Sequence, residues 1–236
     1  KVKIIQTTWD DSLRQNGRVL AVETDKALAA INPAADWAIY IQGDEVMHEA
    51  DHPNIFNAMT QYQHDNEVDG LLFDYLHFYG SYDYIGVSNN WYKKEIRIIK
   101  PGRGIFSFRD AQGFRKAPDQ KLKVALANAK VYHYGWVKDP TAMQRKQESF
   151  HKLWHDDAWL EKNVKVATAF DYEDHIHELA RFEGKHPIWI SDRIEARNWT
   201  FQMDITKSNR TLKNRVKNWL KLIGIDTNYA NYRLIR

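Results

Sequence analysis

The sequence predicts an α/β protein with a mixed sheet whose faces are covered by helices. Apolar, β-branched segments alternate with segments of helical spacing up to about residue 138, which is the pattern of strands and helices that share one sheet. A length of 236 residues suits one large domain with a substantial core, with or without an appendage. From Asp139 onward the signals become mostly helical. We therefore predict a sheet domain over 1–165 and a mostly helical C-terminal extension over 166–236 that packs on it.

The strands of the first part are predicted from short apolar segments bounded by turn residues. The segments are "KVKIIQTTW" at 1–9, "WAIYIQ" at 37–42, "VDGLLFDYLHFYG" at 68–80, "WYKKEIRIIK" at 91–100 and "KVYHYGWV" at 130–137. Helical spacing covers 18–31 and the segment "HPNIFNAMTQYQHDN" at 52–66. The glycine-punctuated "PGRGIFSFRDAQGFRK" at 101–116 is typical of a turn, a short strand and a loop.

Three helices are predicted after residue 138. Asp139 as N-cap and Pro140 at the first helical position begin a long helix that ends at about residue 163. A second helix is expected over 171–183, before Gly184. A third is expected over 207–223.

Composition indicates a globular protein and restricts its partners. The 34 basic and 31 acidic residues give a net charge of +3, and no nucleic-acid recognition motif is present, so no nucleic-acid partner is expected. The absence of cysteine excludes disulfides and suits a reducing compartment, which predicts a cytoplasmic protein. No apolar run approaches the roughly 18 residues of a membrane span. Because the chain opens on Lys1 within a strand-like segment, we expect it to begin partway through a longer protein.

Acidic residues follow the strand at 37–42. Ligands of open α/β sheets bind beyond the carboxyl ends of strands, and Asp44 lies just past such an end. Its carboxylate suits Mg²⁺ or Mn²⁺, which take one or two carboxylates and complete their shell with phosphate and water. Glu45 points the opposite way in extended geometry, which indicates a supporting or structural group. The alternative is an ordinary polar loop at the end of a strand.

Several motifs in order resemble one family. "ADWAIYIQGDEVMHEAD" is similar to the segment of family-2-like glycosyltransferases that carries the acidic Asp-x-Asp-Glu signature. The resemblance continues through "FDYLHFYGSYDY", "EIRIIK", "DAQGFR" and "VYHYGWVKDP", and covers most of residues 1 to about 160. It implies the GT-A fold, a nucleotide-binding α/β sheet, and transfer of a sugar from a nucleotide-sugar donor. The family's first strand, which binds the nucleotide base, is expected to be missing before Lys1.

The resemblance assigns a metal site by position. Asp44 matches the acid that binds the divalent cation, Mn²⁺ or Mg²⁺, on the donor diphosphate, and Glu45 follows it in the donor-binding set. Gln42 stands where the family has its first acid, so this donor contact brings no charge. His133 matches a late histidine that serves as the second metal ligand. The alternative for His133 is a histidine packed within the sheet.

The catalytic base implied by the resemblance is Asp110. An inverting transfer needs one base that removes the proton of the acceptor hydroxyl, and Asp110 falls where the family places it. The alternatives are that Asp110 caps a turn or pairs with a neighbouring arginine. Asp74 and Asp83 compete for the role of base.

Further positions are implied for the donor and the acceptor. Arg97 is placed to reach a phosphate or an acid near the top of the sheet, with a salt bridge to Glu95 as the alternative. Lys146, in the helix after Pro140, resembles a basic position that contacts donor phosphate. Tyr79, Tyr82 and Asp83 are expected to bind the acceptor, although period-two burial also explains such aromatic residues.

A basic segment follows near the C-terminus. Residues 205–225 contain no Asp or Glu and combine six basic residues with an apolar stripe at helical spacing. Such a helix, at 207–223, either lies peripherally on the anionic inner face of a membrane or packs on the catalytic domain.

The sequence therefore predicts a metal-dependent, inverting glycosyltransferase that uses a nucleotide-sugar donor. Its acceptor is expected to be a saccharide or a lipid-linked saccharide in surface-polysaccharide or glycoconjugate synthesis. A divalent-metal phosphohydrolase or nuclease is one alternative, although such sites usually need acids at several strand ends. The other alternative is a degenerate GT-A module that binds a nucleotide or a partner without turnover, which Gln42 favours.

Overall fold

The computed structural model describes residues 2–116, 119–163, 167–173, 178–205 and 230–235. It confirms a mixed α/β protein with one curled mixed sheet flanked by helices. The helices are α1 Arg18–Ala29, α2 His52–Tyr62, α3 Pro140–His151, α4 Asp157–Asn163 and α5 Ser191–Glu195. The strands are β1 Ala38–Ile39, β2 Glu45–Met47, β3 Gly70–Tyr79, β4 Tyr84–Gly86, β5 Lys94–Ile99, β6 Ile105–Phe108, β7 Gly113–Lys116, β8 Gln120–Trp136, β9 Leu179–Arg181 and β10 Tyr232–Leu234.

Strands β3 and β8 form the centre of the sheet. They run parallel from the pair Gly70–Val124 to the pair Tyr79–Trp136, with two shifts of register. Strand β5 lies antiparallel on the other side of β3, and β1 lies antiparallel on β5 at the edge of the sheet. The near-continuous apolar run of β3 suits a strand that is covered on both faces.

The 17-residue strand β8 pairs with different strands along its length. Its first residues pair with β7 and β10, and its last residues pair with β2. In this register His133 lies opposite Glu45 of β2 on one side and opposite His77 of β3 on the other. Laterally paired residues of neighbouring strands point to the same face, so these three side chains form one row.

Helix α2 covers one face of the central strands. Ile55 and Ala58 of α2 are buried in a cluster with Leu71 and Phe73 of β3 and with Val131 of β8. Pro53 lies in its first turn, as the sequence predicts. The predicted helix at 18–31 is observed as α1.

The first two predicted strands differ from the structure. Residues 2–9 lie in no strand, and Val2 and Ile4 are 94% and 86% exposed. Strand β1 covers only Ala38 and Ile39 of the predicted strand at 37–42, although the amide of Tyr40 also donates to the carbonyl oxygen of Arg97 in β5. Ile39 and Ile41 are about half exposed. The strand predicted at 37–42 is therefore shorter than predicted and lies at the edge of the sheet, where it pairs with β5.

The predicted C-terminal helices are also corrected. The long helix after Asp139 divides into α3 and α4, with turns between them. Part of the helix predicted at 171–183 is instead strand β9, which pairs with β4. Residues 174–177 and the helix predicted at 207–223 lie outside the described residues. In the described ranges, no helix combines the length and the apolar character that crossing a membrane requires.

Candidate functional site

Asp44 lies in the turn that joins β1 to β2. The amide of Glu45 donates to the carbonyl oxygen of Gln42 at 3.0 Å and closes this turn. The amide of Tyr134 on β8 donates to the carbonyl oxygen of Asp44 at 2.8 Å. The backbone of Asp44 is therefore fixed against β8, beside the strand end that carries His133 and Gly135.

Three predicted site residues come together around the Asp44 carboxylate. Its Oδ2 atom lies 3.7 Å from Nε2 of His133 and 3.1 Å from Nζ of Lys146. Lys146 Nζ also donates to the carbonyl oxygen of Gly135 at 2.8 Å. Burial alone would raise the pKa of the Asp44 carboxyl, but His133 and the Lys146 ammonium outweigh burial and hold this pKa well below its usual range. The carboxylate is therefore ionised, and Lys146 is its counter-ion in this structure.

Gly135 leaves a small space between the two candidate metal ligands. A Cβ atom at this position would lie 2.5 Å from His133 Nε2 and 2.7 Å from Asp44 Oδ2. Divalent cations bind nitrogen and oxygen ligands at about 2.0–2.2 Å, so two ligand atoms 3.7 Å apart can hold one ion. The separation of the two atoms therefore suits both side chains as ligands of one divalent cation.

The protein offers two ligands rather than three at this point. Across the described ranges, no group of three or more His, Cys, Asp or Glu side chains is arranged to hold a metal ion. A cation on Asp44 and His133 therefore needs further ligands from water or from a bound phosphate, which is the usual arrangement for Mg²⁺.

An open cleft of about 540 Å³ begins at Asp44. Its lining residues are Gly43, Asp44, Lys138, Ala142, Arg145, Lys146 and Ser149. Burial lowers the pKa of Lys138, and the positive charges of Lys146 and Arg193 lower it further. The lining thus contains three cationic side chains, Lys138, Arg145 and Lys146, and one carboxylate, Asp44. This excess of positive charge suits a polyanionic ligand such as a diphosphate.

Glu45 and Arg97 form a buried ion pair. Arg97 Nε and Nη2 donate to the two carboxylate oxygens of Glu45 at 2.8 and 2.7 Å, and Tyr75 also donates to Glu45. Burial alone would lower the pKa of Arg97, but Tyr75 and Glu45 outweigh burial and raise it. Both side chains are almost fully buried. Arg97 therefore reaches an acid, which is one of its two predicted partners, and Glu45 is the structural group that extended geometry indicates; neither is among the residues that line the cleft. The pair fixes β2 to β5 beneath Asp44.

Gln42 is directed away from the Asp44 cluster. Its Nε2 atom donates to the hydroxyl of Tyr40 at 3.0 Å. The Tyr40 hydroxyl in turn lies 3.5 Å from the carbonyl oxygen of Ala111. Gln42 therefore lies between the Asp44 turn and the hairpin that carries Asp110.

Asp110 lies at the tip of the β6–β7 hairpin. The neighbouring Arg109 and Ala111 both have positive φ values, 57° and 61°, which are uncommon outside glycine and indicate strain. Burial raises the pKa of the Asp110 carboxyl, partly offset by the amides of the turn and by the charge of Arg109. Asp110 is not among the residues that line the cleft at Asp44.

The predicted acceptor-binding residues have other roles in the structure. Tyr79 and Tyr82 are 2% and 3% exposed, and both rings belong to aromatic core clusters. Asp83 forms an ion pair with Arg197 at 2.9 Å. The two tyrosines therefore offer no free ring face to a sugar in this arrangement, which corrects the predicted placement.

His77 contacts the site but was not predicted from the sequence. Its Nδ1 atom lies 3.3 Å from Nδ1 of His133, and its Nε2 atom lies 3.0 Å from the carbonyl oxygen of Tyr92. In the sequence, His77 occupies one of the alternating positions of strand β3, and nothing there marks it as a site residue. Only the register between β3 and β8 places it beside His133.

Comparison with known proteins assigns no family to the chain. No family model matches it, and neither a curated protein nor a solved structure matches it.

Proposed function

We propose that this chain is a glycosyltransferase that transfers a sugar from a nucleotide-sugar donor, with a GT-A type sheet. The observation that carries the proposal is the pair formed by Asp44 and His133. Its two ligand atoms lie 3.7 Å apart beside Gly135, and Asp44 lines a cationic cleft. This combination suits a divalent cation together with a diphosphate.

Each part of the cleft has a chemical task in this proposal. Asp44 and His133 would hold Mn²⁺ or Mg²⁺, which would supply positive charge beside the leaving diphosphate. Lys138, Arg145 and Lys146 donate charge-assisted hydrogen bonds to phosphate oxygens. A conformation that frees Lys146 from Asp44 gives it full access to the phosphate.

Asp110 acts as the base in the proposed reaction. It takes the proton from an acceptor hydroxyl while that oxygen forms a bond to the anomeric carbon of the donor sugar. The bond from this carbon to the diphosphate oxygen breaks, and the diphosphate leaves with the electron pair. The raised pKa of Asp110 strengthens it as a base. We propose a saccharide or a lipid-linked saccharide as the acceptor, and a location in the cytoplasm or at the inner face of a membrane.

One observation favours a second candidate, a nucleotide-binding module without turnover. Gln42 stands where the resembled family has its first acid, and its side-chain amide donates a hydrogen bond to the hydroxyl of Tyr40. Such a module retains diphosphate binding at Asp44 and transfers no sugar. Turnover therefore separates the two candidates, whereas binding does not.

The first test is calorimetric titration of nucleoside diphosphates with and without Mn²⁺. We expect one nucleotide to bind in a Mn²⁺-dependent manner to the parent protein, and we expect Asp44→Ala to lose this binding. Asp74→Ala is the matched control, since Asp74 pairs with Lys94 on a different part of the sheet. Failure of every nucleotide to bind to the folded protein would refute the proposed site. Transfer from the matching nucleotide sugar then tests for turnover.

A further inference from the structure

A buried histidine pair connects strand β3 to the candidate metal ligand. His77 is 2% exposed and lies opposite His133 in the β3–β8 register. The two Nδ1 atoms are 3.3 Å apart. One of these two nitrogens must carry a hydrogen and the other a lone pair, because two donors or two acceptors would repel at this distance.

The surroundings of His77 decide which nitrogen carries the hydrogen. Its Nε2 atom lies 3.0 Å from the carbonyl oxygen of Tyr92, which only accepts hydrogen bonds, so Nε2 must be the N–H group. The rings of Tyr75, Trp91 and Tyr92 enclose the imidazole at centroid distances of 4.7, 4.8 and 4.4 Å. The imidazole is 2% exposed, and neither these rings nor the Tyr92 carbonyl carries a negative charge that would pair with an imidazolium, so the ring is neutral. Its Nδ1 atom is therefore an acceptor.

This acceptor fixes the tautomer of His133. His133 Nδ1 must carry a hydrogen, so Nε2 is the ring nitrogen that can lose its hydrogen and offer a lone pair to a metal ion. That Nε2 atom lies 3.7 Å from Asp44 Oδ2, which is beyond hydrogen-bond distance, and it borders the space left by Gly135. The lone pair is thus presented where a cation would be shared with Asp44.

We infer that His77 is a positioning residue that holds His133 in the tautomer that binds metal through Nε2. The inference rests on the proposed function for the identity of the ligand. Partners that orient metal-binding histidines through the second ring nitrogen typically account for 10–100-fold in metal affinity. His77 does not bind the metal itself but affects metal binding by fixing the tautomer of His133.

The first test measures the tautomer without any metal. Long-range ¹H–¹⁵N correlation spectra of the metal-free protein at pH 7.5 assign which nitrogen of His133 carries the hydrogen. We expect the Nδ1–H form in the parent protein and in His77→Gln, because the glutamine amide can accept from His133 and donate to the Tyr92 carbonyl. We expect His77→Leu to lose this preference. A dominant Nε2–H form in the parent protein would overturn the inference.

The second test measures Mn²⁺ affinity by electron paramagnetic resonance in the presence of the matching nucleoside diphosphate. We expect His77→Leu to bind Mn²⁺ about 10–100-fold more weakly, and His77→Gln to restore parental affinity. Equal affinity of His77→Leu and the parent would overturn the inference. If His77→Leu fails to fold, the parent spectrum and His77→Gln still decide. A parent protein with the expected tautomer but without Mn²⁺–nucleotide binding refutes the proposed function and leaves the tautomer assignment intact.

Discussion

The Lys146 ammonium donates a hydrogen bond to the Asp44 carboxylate at 3.1 Å. The same ammonium donates to the carbonyl oxygen of Gly135, so it bridges the Asp44 turn and the end of β8. A lysine and a divalent cation that share one carboxylate repel each other. The ion pair therefore opposes metal binding until an anionic ligand attracts Lys146 away from Asp44.

Replacement of Lys146 by methionine should separate the two kinds of binding. We expect Lys146→Met to raise the Mn²⁺ affinity of the nucleotide-free protein, because the competing charge is removed. We expect the affinity for the nucleoside diphosphate to fall about tenfold or more, since a hydrogen bond to a charged group contributes about 1.5–3 kcal/mol. Calorimetry measures both. Lys152→Met, at an exposed lysine after α3, is the control, and a fall of both affinities would contradict the competition.

Gly135→Ala should block the metal without removing a ligand. The added methyl would lie 2.5 Å from His133 Nε2 and 2.7 Å from Asp44 Oδ2, so it fills the space between them. We expect loss of Mn²⁺-dependent nucleotide binding and a stability cost of about 1–3 kcal/mol from overpacking. Gly43→Ala is the matched control in the same cleft, because a Cβ there meets no atom within 4 Å. Retained Mn²⁺ dependence in folded Gly135→Ala would place the cation elsewhere.

Asp110→Asn tests the assignment of the base. We expect kcat to fall about 10²–10⁴-fold while the affinity for the nucleoside diphosphate is retained. Burial raises the pKa of Asp110, so the acidic limb of the parent pH–rate profile should lie above the usual range of an aspartate. Asp157→Asn is the control, since Asp157 is an exposed aspartate of α4. Unchanged turnover in Asp110→Asn would remove Asp110 from the mechanism.

Local sequence patterns predicted the elements whose partners are close or whose burial is continuous. Strand β3 was predicted from an apolar run, and α2 from helical spacing and Pro53. The edge position of β1 was not predicted, because the exposure of Ile39 depends on which strands surround it. Strand β9 was mistaken for helix, because its pairing with β4 is a contact between distant parts of the chain.

The sequence predicted which residues form the candidate site, but it did not predict how they are arranged. Asp44, His133 and Lys146 were proposed from the resemblance, and the structure brings them into contact. Arg97 was predicted to reach a phosphate or an acid, and its guanidinium binds the buried carboxylate of Glu45. His77 was missed, because the tautomer constraint arises only from the register of two strands.

Removing one partner of the buried pair of Glu45 and Arg97 should destabilise the protein strongly, whereas replacing both with apolar residues should destabilise it much less. Glu45→Ala leaves the Arg97 cation buried without its partner, so we expect a loss of about 3–5 kcal/mol in the free energy of unfolding. The double variant Glu45→Met with Arg97→Met should recover most of this loss, because no charge is then buried. Urea denaturation measures both. A double variant that is less stable than Glu45→Ala would contradict this account.

Glu95 is a buried carboxyl whose titration should change stability. It is 2% exposed, its Oε1 atom accepts from Gln112, and within the described residues its Oε2 atom has no hydrogen-bond partner. Burial raises its pKa to about 7 from an unperturbed 4.5, although the charge of Arg97 partly opposes this rise. The folded protein therefore binds the proton more tightly than the unfolded chain. Stability from this group is fully present below pH 4.5 and is lost as pH rises to about 7.

Glu95→Gln should remove this pH dependence, because glutamine resembles the neutral carboxyl. The difference between about 7 and 4.5 corresponds to about 3 kcal/mol, so the variant should exceed the parent in stability by up to that amount at pH 8. Near pH 4 the two should unfold with equal free energies. Urea denaturation at both pH values measures the difference, with Glu67→Gln as the control at an exposed glutamate. If the difference between Glu95→Gln and the parent does not grow from pH 4 to pH 8, the folded protein holds Glu95 ionised.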